Sequence, residues 1–301
     1  MKAGFVSLVG RPNAGKSTLL NRLVGAKLAI VSDKPQTTRT RILGVKNRPD
    51  AQIVYLDTPG IHRPLHRMNV RMVDAAIDTI EEVDLLGVVV DASARSGRGD
   101  AFVFDLLKKA RVPVFLILNK IDLVRKTRLL PMLEAFGRRD LFAEMVPVSA
   151  ATGENVDRLE RLIVDRLPEG ARLYPEDYLT DQSERVLAGE IVREKLLQLT
   201  RDELPFSSGV AIDRFEEPRE GAQPLLRLYC TIVVDRESQK SIVVGRGGEM
   251  VKAIGTAARQ ELERFFGVRV FLDLHVRVRG EWREDDRALT EMGIVPPRGE
   301  R

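Results

Sequence analysis

Gly10-Arg-Pro-Asn-Ala-Gly15-Lys16-Ser17 constrains this chain more than any other stretch, because it joins an apolar run at 5–9 to a helix-patterned segment at 16–24. Glycines without a Cβ let backbone N–H groups close around phosphate oxygens, and the helix that follows turns its positive dipole end to the same anion. The pattern G-x-x-x-x-G-K-[ST] between a strand and a helix therefore reads as a phosphate-binding loop. Lys16 is the expected partner of the β- and γ-phosphates and Ser17 a ligand of Mg²⁺, with Gly10, Asn13, Ala14, Gly15 and Thr18 completing the cradle. The competing reading is a plain Gly/Pro turn before a helix. Agreement of strand, loop and helix disfavours it.

The rest of the first half repeats the same alternation. Runs rich in Val, Ile and Leu at 52–56, 85–90, 112–118 and 145–148 read as buried strands, and 42–46 as a more polar strand near an edge. Segments 16–24, 70–80, 100–110, 127–136 and 155–167 carry helical spacing. Strands alternating with helices predict an α/β fold with a doubly wound, mostly parallel sheet covered on both faces. Ligands of such sheets lie beyond the carboxyl ends of the strands, so the loops there hold the chemistry.

Those loops choose the nucleotide. After 52–56 comes Asp57-Thr-Pro-Gly60: the aspartate can reach the shell of a Mg²⁺ ion through water, and the glycine N–H can meet a γ-phosphate. After 112–118 comes Asn119-Lys120-Ile121-Asp122. A carboxylate at Asp122 can accept both the N1–H and the N2 amino group of guanine, a pattern adenine lacks, while Lys120 lies along the base and Asn119 holds the loop. Adenine would leave Asp122 buried and unpaired, which disfavours an ATPase or kinase. Ser149-Ala150-Ala151, after 145–148, can offer the Ala150 N–H to guanine O6. Each motif alone is weak, but four in this order, each just after a strand, define a guanine-nucleotide site.

Pro168-Glu-Gly170 ends the alternation, and Tyr174-Pro175-Glu-Asp-Tyr178 reads as a linker. The expected organisation is a GTP-binding domain over 1–168, a linker over 169–180 and a second domain with a C-terminal extension over 181–301. In that second part the order is helix (183–200), strands (210–216 and 225–235), helices (238–244 and 249–266) and a last strand (268–279), an α+β arrangement. Between its last two helices lies Gly245-Arg246-Gly247-Gly248. Such a turn lets a nucleic-acid backbone approach the N–H groups of the next helix, with Arg246, Lys252 and Arg259 available to phosphates. As a bare pattern it is only a turn between helices; its place in this element order resembles a bacterial, type 2 KH domain, whose cleft takes about four unpaired nucleotides.

The two halves together resemble the Era family of GTPases over nearly the whole chain. Lys34-Pro-Gln-Thr37-Thr38-Arg39 is similar to that family's first switch, with Thr38 preferred over Thr37 as the threonine that closes on Mg²⁺ and γ-phosphate. Ras-like enzymes carry a water-orienting glutamine after the D-x-x-G glycine; here that residue is Ile61, as in Era and its relatives, and slow hydrolysis of GTP to GDP follows. Asn13 corresponds to an asparagine that some relatives use to hold K⁺, and support of the loop turn is an equal alternative. The resemblance also implies a monomer that binds small-subunit (16S) ribosomal RNA near its 3′ end and assists assembly of the 30S subunit. It implies a cytoplasmic location with peripheral contact on the inner face of the membrane. A signalling GTPase at the membrane whose second domain binds protein is the alternative.

Composition sets the outer limits. With 31% charged and 44% hydrophobic residues the chain is not disordered, and its single cysteine, Cys230, can form neither an internal disulfide nor a Cys-rich zinc site. No run reaches the roughly 18–20 apolar residues of a membrane-spanning helix, and the start reads as a mature cytosolic N-terminus rather than a signal peptide. The formal charge of +4 divides unevenly: residues 1–170 carry 27 basic and 20 acidic groups, whereas 171–301 carry 21 and 24. Only 236–283, with ten basic and six acidic residues, offers a basic patch, and a solvated face would look the same. His62, His66 and His275 lack metal-ligand spacing, and Trp282 is expected to pack on the second domain rather than stack on a base.

Overall fold

Val-, Ile- and Leu-rich runs without polar alternation have no face to give to solvent, so they belong inside a sheet. In the computed structural model they form six strands: β1 (Lys2–Val9), β2 (Ile42–Asn47), β3 (Ala51–Asp57), β4 (Leu85–Asp91), β5 (Val114–Asn119) and β6 (Glu144–Pro147). The structure describes residues 1–34, 36–60, 68, 70–72, 82–94, 97–108, 110–201, 204–218 and 224–294. The strand order is β2-β3-β1-β4-β5-β6, with β2 antiparallel to β3 and every other pair parallel. The doubly wound sheet is thus as expected, and 42–46 belongs to its edge strand.

Each strand supplies two cores. Val6, Leu8, Ile53 and Tyr55 pack on one face with helix α1 (Lys16–Val24) and helix α4 (Val156–Arg166). Val9, Val54, Leu56 and Val88 pack on the other with α2 (Arg98–Leu107) and α3 (Leu129–Gly137). The period of two along a strand makes this division. β1 begins three residues earlier than its apolar run because Lys2 to Gly4 find partners in Ala51 to Ile53. The helix expected over 70–80 lies largely outside the described residues, as does Ile61.

Residues beyond α4 run along the edge of the same sheet. Gln52 Oε1 accepts from the Leu173 and Tyr174 N–H groups at 2.7 and 2.9 Å, Tyr174 stacks on Tyr178, and Val45 N–H donates to Leu179 O at 2.8 Å.

The second unit opens with α5 (Glu184–Leu199), whose first turn is capped by the Ser183 hydroxyl accepting from Val186 N–H. A one-turn helix α6 (Leu204–Ser207) leads into β7 (Ser208–Glu216) and β8 (Leu225–Val234). Helices α7 (Glu237–Val244) and α8 (Glu249–Phe266) follow, then β9 (Arg269–Val278) and α9 (Asp286–Glu291). The sheet order is β7-β8-β9, antiparallel then parallel, so it is mixed. Ile191, Val192, Leu228, Ile232, Ile254 and Leu262 form its core under α5 and α8. Both α6 and α9 are shorter than two turns; α9 is announced by Asp285, whose carboxylate caps it by accepting from the Arg287 and Ala288 N–H groups.

Candidate nucleotide and nucleic-acid sites

The phosphate loop turns between β1 and α1 at the carboxyl edge of the sheet. Gly10 and Gly15 both take positive φ, 153° and 92°, and a Cβ on Gly15 would collide with the Asn119 amide. Lys16 is buried, and its Nζ donates to the carbonyls of Gly10 and Arg11 at 3.2 and 3.1 Å. Burial lowers its pKa, and the neighbouring charge of Asp57 works against that. Ala14 is buried, and Thr18 borders the same small cavity as Lys16 and Ser17.

Three residues far apart in sequence meet beside Lys16. Ser17 Oγ lies 2.7 Å from Thr38 Oγ1 and donates to Asp57 Oδ2 at 2.7 Å, while Thr38 Oγ1 donates to the same oxygen at 3.3 Å. The Thr37 hydroxyl instead turns to Ser32 and to Lys34 O, at 2.8 and 2.6 Å. Burial raises the Asp57 carboxyl, while Lys16, Ser17 and Thr38 oppose it. Its Oδ1 is buried with no partner. Two hydroxyls and a carboxylate are the hard oxygen donors Mg²⁺ takes, so the residues present fit that ion. Gly60 packs on the phosphate loop so closely that a Cβ there would lie 2.7–2.8 Å from Pro12.

The base-side loops lock onto the phosphate loop and one another. Asn119 Nδ2 donates to Ala14 O and its Oδ1 accepts the Ala150 N–H, both at 3.0 Å. Lys120, at φ 65°, donates to Asn13 O at 2.8 Å and to Asp91 Oδ2 at 2.7 Å. Ser149 Oγ donates to Asp122 Oδ1 at 2.6 Å. The Asn13 amide donates to Asp33 O at 2.6 Å, tying the phosphate loop to the segment that leads to Thr38.

Asp91 escaped the sequence reading. Burial tends to raise its carboxyl, but hydrogen bonds from Lys120 and Ser93 outweigh it and hold the group low. Its position at the carboxyl end of β4, among loops that all carry function, was the available signal.

In the second unit Gly245, Gly247 and Gly248 take φ of 75°, 60° and 85°, conformations that L side chains rarely adopt. A Cβ on Gly245 would strike Met250, whereas one on Gly247 or Gly248 would meet nothing within 4 Å, so the outer turn faces open space. Arg246 and Lys252 are exposed beside it; Arg259 pairs with Glu263 at 3.0 Å. Ile254 lies in the core of the second unit. Trp282 is fully buried, donates to Ser207 O at 3.0 Å, and carries the Arg39 guanidinium 5.5 Å above its ring.

A phosphate loop, a guanine-type base site and a KH-like second unit define a class: a P-loop GTPase joined to a nucleic-acid-binding domain. The family described as 50S ribosome-binding GTPase matches residues 5–120, and the KH domain family matches 222–283. GTPase Era of Geobacter metallireducens is 49% identical over 294 residues, 98% of each chain. GTPase Era of Syntrophus aciditrophicus is 49% identical over 292 residues, 97% of this chain and 95% of that one. A crystal structure of Era in complex with MgGDPNP and nucleotides 1506–1542 of 16S ribosomal RNA superposes with a TM-score of 0.94 at 42% identity, covering 98% of this chain and 99% of that one. A variant of Aquifex aeolicus Era bound to GDP.AlF4⁻ gives 0.93 at 41% identity, over 98% and 100%. The chain belongs to the Era GTPase family.

Proposed function

We propose that this chain binds and slowly hydrolyses GTP, and that it binds small-subunit ribosomal RNA near its 3′ end during assembly of the 30S subunit. The observation that carries the reading is the meeting of Lys16, Ser17, Thr38 and Asp57 beside Asn119, Lys120 and Asp122, in a chain whose second unit holds an open Gly-rich turn. The division we propose is 1–168 for the nucleotide, 169–180 as linker and 181–301 for RNA, acting as a cytoplasmic monomer.

Lys16, the phosphate-loop N–H groups and Gly60 would bind the phosphates; Asn119, Lys120, Asp122 and Ser149 would hold the base, with Ala150, whose N–H is given to Asn119 Oδ1 and would have to be shared to reach guanine O6, beside them. Ser17, Thr38 and Asp57 would hold Mg²⁺, which when bound neutralises phosphate charge. The Asn13 hydrogen bond to Asp33 O uses the amide nitrogen and leaves the amide oxygen to ligate K⁺. Gly245 to Gly248 and Lys252 would receive the RNA backbone, in keeping with the RNA carried by the Era structure of TM-score 0.94.

The test is GTP and ATP hydrolysis by the purified chain in Mg²⁺, together with anisotropy titration of a 3′-end small-subunit oligonucleotide against a scrambled one. Guanine-selective turnover and sequence-selective binding are expected. Equal use of ATP would overturn the base assignment, and equal affinity for both oligonucleotides the RNA assignment.

A further inference from the structure

Two adjacent residues of α5, a helix of the second unit, hold the loop that carries Thr38. Arg193 is 2% exposed, and its guanidinium donates to the Thr37 carbonyl oxygen. That carbonyl belongs to the peptide unit joining Thr37 to Thr38, so the contact fixes the plane from which the Thr38 side chain departs. Arg193 is itself held by Glu190, which accepts from Nε at 2.7 Å and from Nη2 at 2.6 Å. Glu194 takes the other end of the loop: it accepts the Val31 N–H at 2.9 Å and pairs with Lys27 Nζ at 2.7 Å. Glu190, Arg193 and Glu194 share one helix face through i, i+3 and i+4 spacing.

We propose that Arg193 is a positioning residue of the GTPase site, contributed by the RNA-binding domain. The inference rests on the guanine-nucleotide reading above. Among the described residues the Thr38 hydroxyl meets Ser17 and Asp57, so its place there depends on how the preceding peptide is held. Without the Arg193 hold, the carbonyl side of the peptide before Thr38 loses its anchor while the Thr37 hydroxyl keeps Ser32 and Lys34 O, and the Thr38 hydroxyl is held less firmly at the pair of oxygens expected to face Mg²⁺. Outer partners that orient a ligand commonly matter this much. The diphosphate state has no γ-phosphate to bring Thr38 in, so GDP affinity is independent of Arg193.

Arg193→Ala and Arg193→Lys in the full chain test this. Removing the guanidinium should lower kcat for GTP roughly 10–100-fold, in line with the loss of an orienting partner. It should also raise several-fold the Mg²⁺ concentration needed for half-maximal binding of a non-hydrolysable GTP analogue, leaving the GDP Kd unchanged. Arg193→Lys keeps one donor and should recover part of both losses; it also serves if the alanine variant fails to fold. Wild-type kcat and Mg²⁺ dependence in the folded variants would overturn the proposal. So would an equal loss of GDP and analogue affinity, which marks a merely structural role. Absence of GTP hydrolysis by the wild-type chain would instead strike the reading beneath it.

Discussion

The Ser149 hydroxyl donates to Asp122 Oδ1 across 2.6 Å, joining the loop after β5 to the loop after β6. One carboxylate oxygen is thereby fixed and the ring of base-side residues closed. Asp122→Asn replaces an acceptor by a donor, so xanthine, which presents an oxygen at C2, should be preferred over guanine. Competition between GTP and xanthosine triphosphate measures it; unchanged preference removes Asp122 from the base site.

Lys16 is the one cation buried beside Asp57 among the described residues of the phosphate loop, with only two carbonyls as hydrogen-bond acceptors. Lys16→Ala should abolish phosphate binding and hydrolysis together. In the wild type, hydrolysis should run faster in potassium than in sodium if the Asn13 amide oxygen ligates the ion. Equal rates in the two salts discard the potassium role and leave the GTPase reading in place.

A Cβ at Gly248 meets nothing within 4 Å, so Gly248→Asp costs only backbone strain at φ 85° within the protein, about 1–2 kcal/mol. The carboxylate would stand where an RNA phosphate is expected. The variant should keep guanine-nucleotide binding and lose the 3′-end oligonucleotide, and wild-type affinity should fall as salt rises. Retained RNA binding by the folded variant would move the protein-binding alternative to first place.

Glu194 links the two units, and its titration has a defined sign. Burial works to raise its carboxyl, but the bonds from Lys27, the Val31 N–H and Lys195 prevail and hold it below 4.5. A lowered carboxyl contributes stability that is complete above 4.5 and is lost as pH falls through the folded value. The stability gap between wild type and Glu194→Gln, about 1–3 kcal/mol near neutrality, should therefore close in acid. Paired thermal melts from pH 7 to pH 3 would show it; a constant gap refutes the assignment.

Cys230 lies in the core of the second unit, where burial pushes its thiol up to about 12. Thiolate is the reactive form, so iodoacetamide at pH 8 should leave the native chain unlabelled and label it in denaturant. Rapid native labelling, read by mass, would contradict this packing.

Local chemistry made much of this protein legible without coordinates. Helix α8 has the ends its sequence announces, because Gly248 and Gly267 at φ 85° and 68° bound an amphipathic run. The nucleotide motifs are readable for a related reason: each is a short loop whose conformation and ligand chemistry belong to the same few residues. Period and punctuation carry no information about which distant groups meet. The choice of Thr38 over Thr37 was made by where β3 places Asp57, not by either threonine. Asp91 finds Lys120 because β4 and β5 are parallel neighbours, and Arg39 finds Trp282 because the second unit packs against the first switch. A chain with 48 basic and 44 acidic residues offers far more possible pairs than it forms. Tertiary structure alone selects among them, because Coulomb and hydrogen-bond energies fall off over a few ångströms while sequence separation leaves that distance open.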